Sequence, residues 1–157
     1  MTTTLNGSGL RSRLLDACIT KQQLLINDFR VRLRNLAESQ NISGDTYQTD
    51  DLSARDKIND ETNLLNKQLD FAVEEMALLK RLRDMREQPH QRVGLGAIVV
   101  TNRYTFFVSA SLEELEVDGR KYIGISTSSP LFTAMVGKKP GDSFSFRGDV
   151  YHIKEVL

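Results

Sequence analysis

The sequence predicts an α+β protein, an N-terminal antiparallel coiled-coil hairpin followed by a small antiparallel β-sheet domain with one short helix. Three observations carry that reading. Apolar residues recur at helical spacing through two long segments before residue 88, with turn residues between them. Past Pro89 the texture changes to short β-rich runs punctuated by Gly, Asp and Pro. The chain has 157 residues, enough for one ordinary domain or two small ones.

Met1 to Gly9 is rich in Thr, Gly and Ser and is expected to be disordered. It lacks the apolar core of a signal peptide, and no apolar run nears the ~20 residues of a membrane span. The expectation is a soluble, cytoplasmic protein. Residues 10–88 make the hairpin, with its tip at about 39–51. In the first helix Leu15, Cys18, Leu25, Phe29, Leu33 and Leu36 share a face, with Gln22 a polar member of the seam. Asn41 to Gly44 supplies turn chemistry, and Asp50 or Asp51 suits the N-cap of the second helix.

That second helix is patterned more cleanly. Ile58, Thr62, Leu65, Leu69, Ala72, Met76 and Leu79 alternate steps of four and three, an a/d seam. The short connection implies an antiparallel return onto the first helix, in preference to an intermolecular coiled coil. At 1.5 Å per residue each arm is roughly 40 Å long. Lys80, Arg81, Arg83 and Arg86 suit the negative end of the helix dipole, and Pro89 closes the helix.

Residues 89–92 read as a linker and 93–157 as the sheet domain. Ala97–Val100 and Tyr104–Val108 are its first strands. Asp118-Gly119 is a tight turn into Lys121–Ile125. Pro130 to Val136 reads as a short helix with Pro130 in its first turn and Gly137 as its stop. Pro140-Gly141-Asp142 is a turn, and Ser143–Arg147 with Val150–Val156 forms a final hairpin about Gly148-Asp149.

Lys plus Arg total 21 and Asp plus Glu total 21, so no net field points to bulk coating of nucleic acid or membrane. The charge is nevertheless polarised. Residues 11–34 carry six bases against Asp16 and Asp28, whereas Glu38 to Glu61 carries seven acids against Arg55 and Lys57. Cys18, the one cysteine, sits in an apolar helical register and reads as a small core hydrophobe. His90 and His152 stand apart, with no zinc-ligand spacing. Gly94-Leu95-Gly96 precedes a strand instead of following one, which fails the dinucleotide-site context.

Two surface groups carry possible chemistry. The tip carboxylates, Asp45, Asp50 and Asp51, offer hard oxygen ligands that can complete the shell of a Mg²⁺ already partly held elsewhere. From spacing alone a solvated acidic turn is the simpler reading. Arg30 and Arg34, four apart on one helix face, suit a phosphate backbone or a solvated flank.

The stretch Ile125-Ser126-Thr127-Ser128-Ser129-Pro130-Leu131-Phe132-Thr133-Ala134-Met135-Val136-Gly137-Lys138-Lys139-Pro140-Gly141-Asp142 resembles the "ISxxSPxxxAxxGKxxGD" segment of the bacterial Gre transcript-cleavage factors. Gly94-Leu95-Gly96-Ala97 is similar to the opening of that family's C-terminal domain, and the order of elements matches along essentially the whole chain. The resemblance implies an FKBP-like (FK506-binding-protein-like) sheet domain that binds RNA polymerase, with Ser128, Ser129, Pro130, Leu131, Phe132 and Met135 as the contact. It implies a hairpin lowered into the polymerase's secondary channel, near the nascent RNA. Two tip acids in a Gly-Asp-x-x-Glu arrangement would share a Mg²⁺ with the polymerase, which cuts backtracked RNA.

Here Asp45 falls on the first acid and Gln48 on the second. A neutral amide coordinates weakly and cannot act as a base, while Asp50 and Asp51 are near enough to substitute. The protein is then no enzyme by itself and a monomer when free. Two alternatives stand beside this: a channel-occupying regulator without cleavage activity, and a prolyl isomerase or chaperone.

Overall fold

A computed structural model describes residues 7–44, 52–85 and 89–157. Its elements run α1 (Gly7–Gly44), α2 (Leu52–Asp84), β1 (Ile98–Thr101), β2 (Thr105–Val108), β3 (Glu114–Val117), β4 (Arg120–Ile125), α3 (Pro130–Met135), β5 (Ser143–Phe146) and β6 (Asp149–Val156). The expected α+β class is found, two long helices followed by a sheet with one short helix. No helix among the described residues is long and apolar enough to cross a membrane. The chain parts into two compact units, one from Gln22 to Glu74 and one made of the residues up to Lys21 with Glu75–Leu157.

In the Gln22–Glu74 unit α1 and α2 bury facing seams. Ile26 and Leu65 are buried, Phe29, Leu33, Leu36, Ile58 and Leu69 half-buried, and Ala72 buried. Leu25 was expected in this seam but is 38% exposed, while Ile26 is 3% exposed. The cause is periodicity. Cys18, Gln22 and Ile26 follow in successive steps of four before the step of three to Phe29. Such a shift realigns the stripe that 3.6 residues per turn would otherwise let drift. Gln22 is wholly buried, its Nε2 donating to the Ala72 carbonyl at 2.9 Å.

α1 also runs through Asn41–Gly44, where turn chemistry was expected, and begins at Gly7 inside the stretch expected to be disordered. Once a seam holds a helix, each further residue adds a hydrogen bond, so poor helix formers near the end cost only a few tenths of a kcal/mol to about 1 kcal/mol each. Pro89 lies five residues past the last described turn of α2, which ends at Asp84.

The other unit is built on a six-stranded sheet of order β3-β4-β2-β1-β6-β5. The expected antiparallel pattern needs one correction: β2 and β4 pair in parallel, Phe106 opposite Ile123 and Val108 opposite Ile125, so the sheet is mixed. The reason is β3, a strand absent from the expected set, whose Glu-Leu-Glu-Val alternation is half charged. The chain leaves β2, crosses the sheet end through 109–113, runs back as β3 at the outer edge, and turns at Asp118-Gly119 into β4. β4 therefore enters between β3 and β2 in the direction of β2. The crossover lies so close that a Cβ on Gly124 would meet the Ala110 carbonyl oxygen at 2.8 Å and the Leu112 Cβ at 2.9 Å.

Each face of the sheet has its own core. On one, Leu10, Leu14, Leu15 and Cys18 of α1 and Leu79 and Leu82 of α2 pack with Ile98, Phe107, Leu115, Val117 and Tyr122. On the other, Val99, Phe106, Val108, Ile125, Phe144, Tyr151 and Ile153 pack with Met135 of α3 and with Val93. Polar ties reinforce the first face. Glu75 Oε1 accepts from the Ser111 N–H at 2.9 Å, and Lys21 Nζ donates to the Glu114 carbonyl at 2.6 Å. Cys18 is fully buried, as expected of a core hydrophobe. Burial pushes its thiol up to about 12 against lesser pulls from Ser109 and Lys21. Ser109 Oγ lies beside the thiol without a hydrogen bond of full geometry.

Candidate functional site

The segment 125–142 is the best-defined candidate. Ile125 ends β4, and the next residues form a tight polar knot. Ser126 Oγ accepts from the Ser128 N–H at 3.1 Å and lies 2.7 Å from Ser128 Oγ. Ser129 is the N-cap of α3, in extended conformation, its Oγ accepting from the Phe132 N–H at 3.1 Å. Pro130 follows in the first turn, where its missing N–H costs nothing. Val136 N–H donates to the Phe132 carbonyl at 2.8 Å, and Gly137 at φ 76 lets the chain leave the helix. The expected helix, with its Pro start and Gly stop, is found.

This local chemistry decides which side chains face out. Ser128 and Pro130 are exposed, and Leu131 and Phe132 are half-buried against the core of that face. Met135 was expected on the contact surface but is fully buried, on the side of α3 that packs against the sheet. It lies one helical turn on from Leu131, faces the sheet and serves packing. Val136, 49% exposed, is the outward apolar side chain that sequence reasoning missed. The segment is also clamped from behind. Val93 exchanges backbone hydrogen bonds with Gly137 and Lys138 at 2.9 and 2.8 Å, and Arg92 donates to the Gly137 carbonyl at 2.9 Å.

Arg30 and Arg34 are both exposed on α1, and neither forms an ion pair among the described residues. Arg32, between them, is engaged with Asp28 at 3.0 Å. The tip residues Asp45, Gln48, Asp50 and Asp51, and with them the expected Mg²⁺ ligand Asp45, lie outside the described residues. Among those described, no group of three or more His, Cys, Asp and Glu side chains could hold a metal ion.

A further cluster was not legible beforehand. Arg11 of α1 donates through Nε to the Gly96 carbonyl at 3.0 Å and lies 3.2 Å from His90 Nδ1. His90 Nε2 is 3.1 Å from the Leu95 carbonyl, so Nε2 carries the proton and Nδ1 accepts from Arg11. Burial, then the Arg11 charge, holds His90 below its usual 6.5, against raising pulls from Leu95 and Leu157. A guanidinium and a neutral imidazole thus tie the first helix to the Pro89–Gly96 segment.

The class these observations define is an α+β protein pairing long helices with a mixed six-stranded sheet whose one short helix presents a capped serine-proline turn. No protein-family model and no curated protein matches the chain. Among solved structures, the GreA factor homolog 1 (Gfh1) protein of Thermus thermophilus is similar at 17% identity and a TM-score of 0.34, covering 88% of this chain and 94% of that one. The Gfh1 of Thermus aquaticus is similar at 18% identity and a TM-score of 0.38, covering 90% and 94%. A further structure, described as the transcription factor Gfh1, shows 19% identity, a TM-score of 0.33 and coverage of 89% and 93%.

Proposed function

We propose that the protein is a Gre-like regulator of RNA polymerase. In this reading the sheet-bearing unit docks on the polymerase through the Ser128–Phe132 turn, while the helix pair carries residues 45–51 into the secondary channel. It works as a monomer in the cytoplasm, close to the nascent RNA. The observation that carries the proposal is the 125–142 segment. The residues that resemble the Gre motif are the same ones that cap α3, fix Pro130 at the surface and leave Leu131 and Phe132 half-covered. Apolar side chains held on a rigid turn make good interface anchors.

Binding of core RNA polymerase to the full chain tests this. Pro130→Ala with Phe132→Ala should weaken it ten-fold or more, about 1.4 kcal/mol. Unchanged affinity in a folded double variant would refute the docking site.

At the tip, Asp45 would supply a carboxylate oxygen to a Mg²⁺ shared with the polymerase, and Gln48 a neutral one. Gln48→Glu should then raise Mg²⁺-dependent cleavage of RNA in stalled complexes, and Asp45→Asn should remove any basal stimulation. The neutral Gln48 also favours a second reading, occupancy of the channel without cleavage. That reading is selected if Gln48→Glu, Asp45→Asn, Asp50→Asn and Asp51→Asn all leave cleavage at the level of polymerase alone. Arg30 and Arg34 would add a salt-screened attraction to RNA or channel wall, lost on Arg30→Ala with Arg34→Ala at low ionic strength only.

A further inference from the structure

An open six-stranded sheet has two edges, and this one treats them differently. At the β3 edge, the two-residue turn Asp118-Gly119 makes Val117 and Arg120 a hydrogen-bonded pair, so the backbone groups of Glu114 and Glu116 point outward. That edge is guarded. Lys21 caps the outward Glu114 carbonyl at 2.6 Å, Arg13 closes on Asp118 at 2.8 Å, and two carboxylates stand on the strand itself. Charges and caps of this kind keep further strands away.

Among the described residues the β5 edge has no such caps. Arg147 and Gly148 both take positive φ, 52 and 83, and form the two-residue turn that makes Phe146 and Asp149 a hydrogen-bonded pair. Ser145–Val150 and Ser143–His152 are therefore the pairs without mutual bonds. The far side of β6 agrees. His152 bonds Asn102 through both its backbone groups, at 3.1 and 2.8 Å, and the Val150 carbonyl takes Arg103 Nε at 3.4 Å. Ser143 and Ser145 thus turn their N–H and C=O groups away from the sheet, and no other described backbone group bonds them. The strand reads Ser-Phe-Ser-Phe, with no charge, proline or glycine.

The surroundings describe what would fit. α3 packs against β5 on one face, where Phe132 and Phe146 are half-buried and Val136 is exposed. Lys138 and Lys139 precede the strand and Arg147 follows it. Of the nearby acids Asp149 is paired with Arg103 at 3.4 Å, while Asp142, which accepts from the Lys139 N–H at 3.0 Å, keeps its charge and leaves the cations in excess. The edge is therefore unpaired at Ser143 and Ser145, apolar on the side that meets α3, and basic at its ends.

We propose that the outer edge of β5 is a peptide-docking site that takes an extended segment of a partner protein as a seventh strand, apolar at alternate positions and acidic at its ends. Main-chain bonds to Ser143 and Ser145 give the affinity, side chains beside α3 give selectivity, and Lys138, Lys139 and Arg147 set the charge. A second copy of this chain would bring the same excess of cations and is the poorer occupant. The main-chain contacts of this site are separate from the Ser128–Phe132 docking turn, although Phe132 borders both, so the Pro130→Ala polymerase test and the Ser145→Pro peptide test fail independently.

The test titrates the full ¹⁵N-labelled chain with a capped seven-residue peptide alternating valine and threonine between terminal glutamates. Saturable binding should slow amide exchange at Ser143 and Ser145 ten-fold or more, and a lysine-ended peptide should bind at least three-fold more weakly. Ser145→Pro removes an outward N–H and no β5–β6 bond, and it should weaken binding at least ten-fold with an unchanged melting point. Should that variant not fold, Ser143→Pro replaces it, and the exchange pattern of the unaltered chain decides alone. The proposal is overturned by absence of saturable binding, by protection elsewhere, by full binding in folded Ser145→Pro, or by a dimer in sedimentation with both serine amides protected before peptide is added.

Discussion

Replacing Gln22 by leucine should make the protein more stable, although it deletes a hydrogen bond. Gln22 is wholly buried; its Nε2 reaches the Ala72 carbonyl at 2.9 Å, and its Oε1 has no partner. Losing the Nε2 bond costs about 1 kcal/mol. Ala72 lies inside α2 and its carbonyl keeps its helical bond, so no new orphan is created. Against that cost, removing an unsatisfied buried oxygen returns about 1–3 kcal/mol. A leucine of similar volume adds about 1 kcal/mol of the 1.5–3 kcal/mol that full burial of such a side chain is worth. The net is a gain of about 1–3 kcal/mol, or a rise of roughly 3–9 °C in Tm for a chain of this size. Thermal unfolding by circular dichroism at 222 nm reads the shift, and hydrogen exchange at Ile26 and Ala72 localises it. A destabilisation above about 1 kcal/mol would refute the reasoning and point to a bound water satisfying Oε1. Sedimentation of the same variant addresses specificity, because a polar seam residue can also fix pairing and register.

Gly124→Ala should destabilise by about 1–3 kcal/mol, since its Cβ would meet the Ala110 carbonyl of the 109–113 crossover at 2.8 Å, a segment whose Leu112 N–H bonds the Gly124 carbonyl at 3.3 Å; a loss under 0.5 kcal/mol in urea unfolding would contradict the close approach. Cys18, with its thiol at about 12 and fully buried, should resist alkylation at pH 8 in the native protein and react only at the rate of opening. Native labelling as fast as in urea would show the packing to be wrong. Because His90 is held below 6.5 in the fold, its share of stability is complete above that pH and is lost as pH falls through the lowered value. Tm should therefore drop more steeply as pH falls below 6.5 in the unaltered chain than in His90→Asn, and parallel curves would deny His90 that role.

How much of the fold is legible in the sequence depends on where its physics is local. The second helix is legible because one residue after another, Ile58 through Leu79, obeys a single repeat. The first is less so, because two steps of four put Ile26 where a uniform heptad puts Leu25. Turns written in special backbone chemistry are plain: Asp118-Gly119, Pro130 with Gly137, Pro140-Gly141. β3 is hidden because Glu114 and Glu116 at a sheet edge look like a charged loop, and without it the parallel pairing of β2 with β4 has no cause. Within the candidate site the Ser129–Pro130 turn is readable from residue type. The inward aim of Met135 depends on which side of a six-residue helix meets the sheet. The bond between Arg11 and His90 joins positions far apart in sequence, and no local pattern announces it.

The sheet-bearing unit takes its residues from both sides of the 22–74 excursion, and this sets an order of events during synthesis. Leu10, Leu14, Leu15 and Cys18 leave the ribosome early, yet their apolar cover from Ile98, Phe107, Leu115 and Tyr122 arrives only when the last two-fifths of the chain is made. Closing a flexible loop of about 50 residues to bring the two sides together would cost about 3.5 kcal/mol beyond a constant. Helix pairing within the excursion would shorten that search wherever it comes first, because it holds Gln22 beside Ala72 at 2.9 Å. Helices that zip first would then act as the clasp on which the sheet assembles. A chain cut after α2 would keep the clasp and leave the early leucines bare, prone to association at the concentrations used for any assay of the helices alone.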